Sequence, residues 1–313
     1  MNSPKVSVLL PNYNCARYLP EAIESVLGQE FRDFELLIVD NRSTDDSIAV
    51  IERYAALDSR IRFQVNPLNV GAPENFNRCL AWAQGEYVKF VCSDDLLASH
   101  QALSKLVAML DANPTAALAA SARNVVDENS KVVDVWNNLV RPGFRNGHAV
   151  VMRCLEKGHN LIGEPSAVLF RRAYAGRGFD PRYRQLVDLE MWVHLLGHGG
   201  LVYTPEALCS FRRHPLQLSA LNWKRQVGLN EMDMLITDYL HHPWLQHRLS
   251  RQSLFLMIYS HRKRRRGEKG VQEIEHLMIG RLGRGWYAAL WLAYKLTKPL
   301  TSIKKMVAHS TTA

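Results

Sequence analysis

The sequence predicts an α/β fold with a mainly parallel sheet flanked by helices, followed by a helical, basic C-terminal extension. Over roughly the first 120 residues, short apolar runs alternate with longer amphipathic runs, as in βαβ units. The chain has 313 residues with 47% hydrophobic content, enough to bury a substantial core. From Asn222 onward the pattern becomes helical, and Lys and Arg become frequent. We therefore expect one domain over residues 1–220 and the extension over 221–313.

Five apolar runs predict the strands of the first half. They are KVSVLLP (5–11), FELLIVD (34–40), IRFQVN (61–66), EYVKFVC (86–92) and AALAAS (116–121). The intervening segments carry apolar residues at three- and four-residue spacing, which predicts helices within 16–29, 43–57, 75–85 and 100–114. Gly85 and the Asn113-Pro114 pair supply helix stops.

Residues 122–220 are less regular. EPSAVLFRR (164–172) reads as a strand, DLEMWVHLLGHGG (188–200) as a short helix closed by glycines, and LVYTPEALCSFRRH (201–214) as a strand-rich return. After Asn222 there are no further strand candidates. We therefore place the domain boundary near residue 220.

Composition limits the location and the partners. The formal net charge is +9, and the basic residues gather in HRKRRRGEK (261–269) and in a later lysine-rich stretch, which indicates an anionic partner. Five scattered cysteines without a C-x-x-C pair favour a reducing compartment and argue against disulfides or structural zinc. The sequence shows no secretion signal and no apolar stretch of about 18 residues. We therefore expect a cytoplasmic protein.

The adjacent carboxylates Asp94 and Asp95 follow the apolar run YVKFVC. One interpretation is structural, because Ser-Asp-Asp-Leu can end a strand and start a helix. The other is that the pair binds a cation or hydroxyl groups. In a parallel sheet the carboxyl ends of the strands share one edge, where ligands bind. Other polar residues follow the strands there, which favours a binding site: Asn12, Tyr13, Asn14, Asp40, Asn66 and Asn69.

The ligand at this edge is not predicted to be a dinucleotide or a P-loop nucleotide. The sequence after the first strand is PNYNCARYL, which fits neither G-x-G-x-x-G nor G-x-x-x-x-G-K-[ST]. Carboxylates would repel a bare pyrophosphate, but aspartates and phosphate oxygens together are a usual shell for Mg²⁺ or Mn²⁺. A nucleotide diphosphate with a divalent metal therefore accounts for the paired acids.

Two long stretches closely resemble the family 2 glycosyltransferases. They are VSVLLPNYNCARYLPEAIESVLGQEFRDFELLIVDNRSTDDS and NVGAPENFNRCLAWAQGEYVKFVCSDDLL, and the resemblance extends over about residues 4–215. It implies the GT-A fold, a Rossmann-like architecture, and an inverting, metal-dependent enzyme that uses a nucleotide-diphosphate sugar. The acceptor would be a glycan or a lipid-linked saccharide.

The resemblance also implies roles for individual residues on the donor side. The Pro11-Asn12-Tyr13 turn would pack on the base and ribose, and Asp40 would hydrogen-bond the base. Asp94 would bind the ribose or sugar, and Asp95 would bind the metal, Mg²⁺ or Mn²⁺. The remaining donor residues implied are Asn77 and, from the segment FRRH (211–214), Arg212 and His214 near the diphosphate.

Two positions depart from the family pattern. Many members have a third acid two positions before Asp94, where this chain has Cys92. Many also have an arginine before the asparagine, where this chain has Phe76. The first change thins the expected metal shell, and the second removes a phosphate contact.

The resemblance aligns VDLEMW (187–192) with the family's acidic segment, which places Asp188 at the position of the catalytic base. Inversion by single displacement needs a carboxylate that takes the acceptor's hydroxyl proton. We therefore expect Asp188 to be ionised near neutral pH, without a strongly raised pKa. Glu190, about 200° further around the helix, is the second candidate acid. The competing structural role for Asp188 is that of a helix N-terminal capping acid.

The C-terminal extension suggests a membrane surface as a further partner. Trp286, Tyr287, Trp291 and Tyr294 interleave with leucine, alanine and lysine, as in helices that lie at a bilayer interface. Residues 262–266 would be drawn to anionic lipid on the inner face of the membrane. The alternative is a helix that only packs on the protein. A non-catalytic binding protein remains a competing function, whereas no base-reading pattern supports a nucleic-acid partner.

Overall fold

The computed structural model describes residues 3–225, 227–228, 230–264 and 272–292. The chain divides into two compact units. The first comprises Met1–Val151 with Asn160–Met232, and the second comprises Met152–His159 with Asp233–Ala313. The first unit therefore continues past residue 220 to Met232.

The described strands of the first unit form one mixed sheet with the order β3-β2-β1-β4-β9-β6-β10-β5. β7 pairs with β6, and β8 pairs with β10. Strands β1 to β4 pair in parallel, as do β6 and β10, whereas β5, β7, β8 and β9 run antiparallel to their partners. The strands are β1 Val6–Asn12, β2 Phe34–Asp40, β3 Ile61–Val65, β4 Tyr87–Phe90, β5 Leu96–Leu97, β6 Ala116–Val126, β7 Val132–Trp136, β8 Gly143–Arg145, β9 Val168–Arg171 and β10 Gly200–Arg212.

Helices connect the strands and continue beyond the last of them. They are α1 Leu19–Leu27, α2 Ser47–Leu57, α3 Ala72–Trp82, α4 Ala102–Asp111, α5 Gly147–Lys157, α6 Val187–Leu196, α7 Leu218–Lys224, α8 Glu231–Leu240, α9 Pro243–Gln246, α10 Arg251–Arg264 and α11 Gln272–Leu282. Residues 284–292 are also helical. No strand follows Arg212 within the described ranges, as the sequence predicted.

The central strands are buried on both faces, which explains their uninterrupted apolar runs. Every residue of β1 and of β2 is buried, as expected for parallel strands covered by helices. Apolar faces of α1 and α4 join this core, with Ile23, Leu103 and Leu110 all fully buried. The predicted α/β architecture with a mainly parallel sheet is therefore confirmed.

Several boundaries differ from the sequence prediction for local reasons. Within 164–172 the strand begins only at Val168, because Pro165–Ala167 forms a 3₁₀ turn. The predicted strand 116–121 extends to Val126, since β7 and β10 both pair with its second half. β7, β8 and α5 were not predicted.

The register sets the position of the polar residues at the sheet edge. Asn12 lies beside Asp40 at the ends of β1 and β2, and β4 runs parallel to β1. The carboxyl ends of these strands therefore meet at one edge, where Asp94 and Asp95 follow β4.

The second unit is helical, and aromatic rings pack within it. Trp291 lies 6.0 Å from Phe255 and 6.2 Å from Tyr259 between ring centroids, whereas Trp286 is 49% exposed. Among the described residues no helix is both long and apolar enough to cross a membrane. Several residues of the predicted membrane-binding surface lie outside the described residues: Arg265, Arg266, Tyr294, Lys295, Lys298, Lys304 and Lys305.

Candidate active site

The paired aspartates lie in a tight turn after β4. The Asp95 N–H donates to the carbonyl of Cys92 at 2.9 Å, and the short strand β5 follows directly. The turn therefore does not start a helix, which was the structural interpretation of this segment. Side-chain atoms of Cys92, Asp94 and Asp95 that could bind a metal lie within 4.8 Å of one another.

Asp95 is the buried member of this acidic turn, at 2% exposure. Its Oδ2 accepts a hydrogen bond from Ser166 Oγ at 2.5 Å, and its Oδ1 accepts one from the Arg212 N–H at 2.9 Å. Burial raises its pKa well above the ordinary value, and the neighbouring Asp94 raises it further. A divalent cation would relieve both effects, and each carboxylate oxygen retains a second lone pair for it.

Cys92 occupies the position where the family often has a third acid. Burial raises the pKa of its thiol, and the two aspartates add to the increase. A neutral thiol leaves two carboxylates as the charged metal ligands, in agreement with the thinner shell expected from the sequence. The donor set of two carboxylates and phosphate oxygens still fits Mg²⁺ or Mn²⁺.

A buried lysine supports the acidic turn from inside the sheet. Lys89 of β4 is fully buried, and its Nζ donates to the carbonyl oxygens of Ser166 and Val168. Burial lowers its pKa to about 8. Ser166 thus links Lys89 to Asp95. The sequence signal for this residue was a single lysine inside the apolar run YVKFVC.

Arg212 does not lie where a diphosphate could reach its guanidinium. Its side chain is 1% exposed, and all three guanidinium nitrogens are hydrogen-bonded within the protein. Nε donates to the Asp94 carbonyl at 2.8 Å, and Nη2 donates to Glu21 Oε2 at 2.5 Å. The predicted donor-binding role of Arg212 is therefore replaced by a structural one, linking β10 to α1 and the acidic turn.

His214 does lie beside the acidic turn. Its Nε2 is 3.1 Å from Asp94 Oδ2, and its ring packs 4.9 Å from the Tyr18 ring. The His214 side chain is 7% exposed. Of the two residues predicted from FRRH, His214 is the one in contact with a candidate donor-binding carboxylate.

The ends of β1 and β2 form a hydrogen-bonded frame. Asp40 is fully buried and accepts bonds from Asn12 Nδ2 at 2.7 Å, from the Ser43 N–H at 2.8 Å and from Ser43 Oγ at 2.6 Å. Pro11 is also buried, whereas Tyr13 is 47% exposed. Asp40 therefore shapes the turn, and Tyr13 is the residue of this group that a base could contact directly.

Asn77 is occupied by the backbone of Phe179. Its Oδ1 accepts from the Phe179 N–H at 2.7 Å, and its Nδ2 donates to the Phe179 carbonyl at 2.9 Å. Phe76 packs on Phe90 and Phe179 with ring centroids 5.2 and 5.3 Å apart. Phe76 thus fills an aromatic core in place of the family's arginine. The structure gives Asn77 a bridging role in place of the predicted contact with the donor.

Asp188 is the second residue of α6. Its Oδ1 accepts from the Leu189 N–H at 2.7 Å, and its Oδ2 accepts from Asn160 Nδ2 at 2.9 Å. The backbone bond lies in the first turn of α6, but the N-cap residue of this helix is Leu186 and not Asp188. Burial raises the pKa of Asp188 to about 7, and Glu164 adds to the increase. The expectation that Asp188 would lack a strongly raised pKa was wrong, because the sequence revealed neither the burial of its carboxyl, the larger cause, nor the effect of Glu164.

Glu190 is engaged elsewhere. It is 2% exposed, and its Oε1 and Oε2 accept bonds of 2.9 Å from the two Nη atoms of Arg177. This bidentate pair, in which Glu190 is buried and Arg177 is 37% exposed, fits a structural role. The geometry therefore favours Asp188 over Glu190 as the reactive acid.

Glu164 connects the two acidic groups. After burial, the largest cause in each case, Glu164 adds to the raised pKa of both Asp95 and Asp188, so the acidic turn and the predicted base lie in one electrostatic neighbourhood. Its Oε2 lies 2.7 Å from Nε of Arg123, whose guanidinium stacks 5.3 Å from the Trp136 ring centroid. The sequence did not single out these three residues. Arg123 lies beyond the predicted end of β6, and Trp136 lies in β7, which was not predicted. Glu164 precedes the 3₁₀ turn Pro165–Ala167, where a strand was predicted.

Comparisons with known proteins identify the family of this chain. Residues 7–179 match the family described as Glycosyl transferase family 2. The chain is 27% identical over 227 residues to the putative teichuronic acid biosynthesis glycosyltransferase TuaG of Bacillus subtilis, covering 71% of this chain and 84% of TuaG. The family match spans more than half of the chain, so the chain belongs to the family 2 glycosyltransferases.

Two solved structures share the fold. S. aureus TarS 1–349 in complex with UDP-GlcNAc has a TM-score of 0.63 at 17% identity, covering 89% of this chain and 80% of that one. The mannosyltransferase PcManGT from Pyrobaculum calidifontis, in complex with GDP-Man and Mn²⁺, has a TM-score of 0.60 at 17% identity, covering 98% and 85%. The fold is therefore GT-A, as the sequence predicted, and the chain is a glycosyltransferase.

Proposed function

We propose that this enzyme transfers a sugar, with inversion at the anomeric carbon, from a nucleotide-diphosphate donor to a saccharide acceptor. The observation that carries the proposal is the pairing of two acidic groups around Glu164. Asp95 lies in a turn suited to a metal and a diphosphate, and Asp188, the second residue of α6, is half-buried as a residue. Single displacement needs one group for the leaving diphosphate and one for the acceptor's proton.

Asp188 is the base in this proposal. Its ionised carboxylate would accept the proton of the acceptor hydroxyl as that oxygen attacks the anomeric carbon. A pKa of about 7 matches such a task, because a base works best when its pKa lies near the operating pH. Asn160 holds Oδ2 at 2.9 Å and so fixes the orientation of the carboxyl.

The donor would lie along the edge formed by β1, β2 and the acidic turn. Tyr13 would contact the base, and Asp94 with His214 would contact the ribose or the diphosphate. Asp95 and Asp94 would hold a divalent metal, for which we propose Mn²⁺ or Mg²⁺. When bound, the metal would offset the negative charge of the leaving diphosphate. PcManGT, solved with GDP-Man and Mn²⁺, supports this assignment.

The acceptor would approach from the Asp188 side. Trp136 is partly buried, stacks on Arg123 and lies 5.4 Å from the Phe211 ring, so the site combines aromatic faces with charged groups. Such a mixture is typical of pockets that bind polar ligands with apolar faces. We therefore propose a glycan or a lipid-linked saccharide as acceptor. The name of TuaG, a teichuronic acid biosynthesis enzyme, supports an envelope polysaccharide.

The location proposed from the sequence is cytoplasmic, with attachment to the inner face of the membrane through the C-terminal extension. The exposed ring of Trp286 supports this part of the proposal.

The test is a thermal-shift and hydrolysis panel. UDP- and GDP-sugars are added to the wild type with and without MnCl₂, because a ligand bound only by the folded state raises the melting temperature. Donor hydrolysis is then compared among the wild type, Asp188→Asn and Asp95→Ala. We expect a metal-dependent shift with at least one nucleotide sugar and loss of hydrolysis in both variants. Donor binding without any hydrolysis or transfer would instead identify a non-catalytic binding protein.

A further inference from the structure

Glu231, the first residue of α8, has a carboxylate that receives three backbone hydrogen bonds. Its Oε1 accepts from the Arg184 N–H at 2.8 Å, and its Oε2 accepts from the N–H groups of Gln185 and Leu186 at 2.8 and 2.7 Å. The residue is 4% exposed. Charge-assisted bonds of this kind are about twice as strong as neutral ones.

The three N–H groups belong to the turn that leads into α6. Leu186 is the N-cap of that helix and makes no capping bond with its own side chain. Donors at a helix start need acceptors from elsewhere, and a negative charge there is favoured by the helix dipole. The Glu231 carboxylate supplies both the acceptor oxygens and the negative charge. Asp188 follows Leu186 by two residues, so the same turn determines where its carboxyl lies.

We propose that Glu231 is a positioning residue for Asp188, acting through the backbone of residues 184–186. The inference rests on the proposed function, in which Asp188 is the base. It assigns a part of the active-site architecture to a residue beyond position 220. The catalytic unit then needs the chain at least through Glu231, consistent with the first compact unit, which ends at Met232.

Gly228 shows how closely the two segments fit. Its φ is +79°, and a Cβ there would lie 2.5 Å from Gln185 Cβ and 2.9 Å from Glu231 Oε1. The Glu231 N–H also donates to the Gly228 carbonyl at 3.0 Å. An alanine at 228 would therefore displace the carboxylate or the turn without removing the charge.

The test compares Glu231→Gln with Glu52→Gln in the full-length chain. Gln has nearly the same shape, but its amide NH₂ would face a backbone N–H donor, so at least one of the three bonds is lost. Glu52 is an exposed residue of α2 and controls for loss of one negative charge. Donor hydrolysis is measured with the nucleotide sugar and Mn²⁺ that serve the wild type best. Amide hydrogen exchange is measured on the peptide 184–196.

We expect Glu231→Gln to lower kcat about tenfold or more and to leave the donor KM within about twofold, because the donor residues lie elsewhere. The pH midpoint of the rate should also move, since the surroundings of the Asp188 carboxyl change. Exchange of peptide 184–196 should rise about tenfold, with peptides from β1 and β2 unchanged. Glu52→Gln should match the wild type in every measurement.

Wild-type kcat and exchange in Glu231→Gln would overturn the inference. So would a uniform rise in exchange that includes β1 and β2, because that result indicates general destabilisation. If Glu231→Gln does not fold, Gly228→Ala carries the same test with the charge retained. A wild type that hydrolyses no nucleotide sugar would defeat the proposed function, whereas the exchange comparison would still decide whether Glu231 orders the turn.

Discussion

Asn160 donates a hydrogen bond of 2.9 Å from its Nδ2 to Oδ2 of Asp188. The bond is partly buried. Desolvation is the largest effect on the pKa of Asp188 and raises it, and repulsion from Glu164 raises it further. Asp188 therefore has a pKa of about 7, although Asn160 and the Leu189 N–H both favour its ionised form. Near neutral pH the carboxyl is divided between its two protonation states.

The first prediction concerns the pH dependence of the reaction. If the ionised form of Asp188 is the base, kcat/KM should rise with pH through a midpoint near 7. Glu164→Gln removes a like charge and should move that midpoint to lower pH. The measurement is kcat/KM from about pH 5.5 to 9, with Glu52→Gln as the control. An unchanged midpoint in Glu164→Gln would show that Glu164 does not act on the base.

The second prediction concerns stability. The Asp188 pKa is raised from 3.8 to about 7 on folding, so between these values the native state binds more protons than the unfolded state. The contribution of Asp188 to the free energy of unfolding should therefore decrease as pH rises from about 4 to 7, by up to about 1.4 kcal/mol per pH unit.

Asp188→Asn removes this titration. The free energy of unfolding of the variant, minus that of the wild type, should therefore increase from pH 5 to pH 8. Urea unfolding of both proteins at the two pH values measures this difference. A difference between the two proteins that stays constant with pH would contradict the raised pKa.

The fold could be predicted from the sequence because its signals are local. β1 and β2 are continuous apolar runs bounded by turn residues, and each helix between them shows its own periodicity. The failures lie where pairing is non-local. β7 is an edge strand with exposed residues Val132, Val133 and Val135, so it has no apolar alternation, and β9 enters between β4 and β6 from a distant part of the chain.

For the candidate site, only residues that belong to sequence motifs could be predicted. Residue types singled out Asp94 and Asp95, and the family resemblance singled out Asp188. The neighbours that determine their chemistry come from other segments: Glu164 acts on Asp188, and Ser166 links Lys89 to Asp95. Arg212 shows the same limit, because its sequence position did not reveal that Glu21 and the Asp94 carbonyl would bury its guanidinium.

The third prediction separates Arg212 from His214. Arg212→Ala should lower the free energy of unfolding by about 2–4 kcal/mol, because it leaves buried acceptors without their donor. His214→Ala should lower stability less than Arg212→Ala, because Arg212 makes four side-chain hydrogen bonds. His214→Ala should also weaken donor binding, since His214 contacts Asp94 at the proposed donor site. Urea unfolding and nucleotide-sugar titration with Mn²⁺ measure the two effects. If Arg212→Ala lost as much donor affinity as His214→Ala and kept wild-type stability, that result would support a role of Arg212 at the diphosphate.

The fourth prediction concerns Asn77. Asn77→Ala removes both hydrogen bonds to the Phe179 backbone, so we expect a loss of about 1–3 kcal/mol in the free energy of unfolding. Donor affinity should be unchanged, because the amide is already occupied by Phe179. Weaker donor binding at wild-type stability would instead support the role implied by the family resemblance.

The last prediction tests membrane attachment of the C-terminal extension. Truncation at residue 220 is unsuitable, since it removes Glu231 from the first unit. Trp286→Ser combined with Leu292→Ser is preferable, because these side chains are 49% and 60% exposed, and Phe255 keeps its contacts with Tyr287 and Trp291. If the exposed residues enter a bilayer interface, the double variant should float less with vesicles containing anionic lipid than the wild type. Val133→Ser, at an exposed valine of β7, should float like the wild type. Equal flotation of all three proteins would show that Trp286 and Leu292 do not attach the enzyme to a membrane.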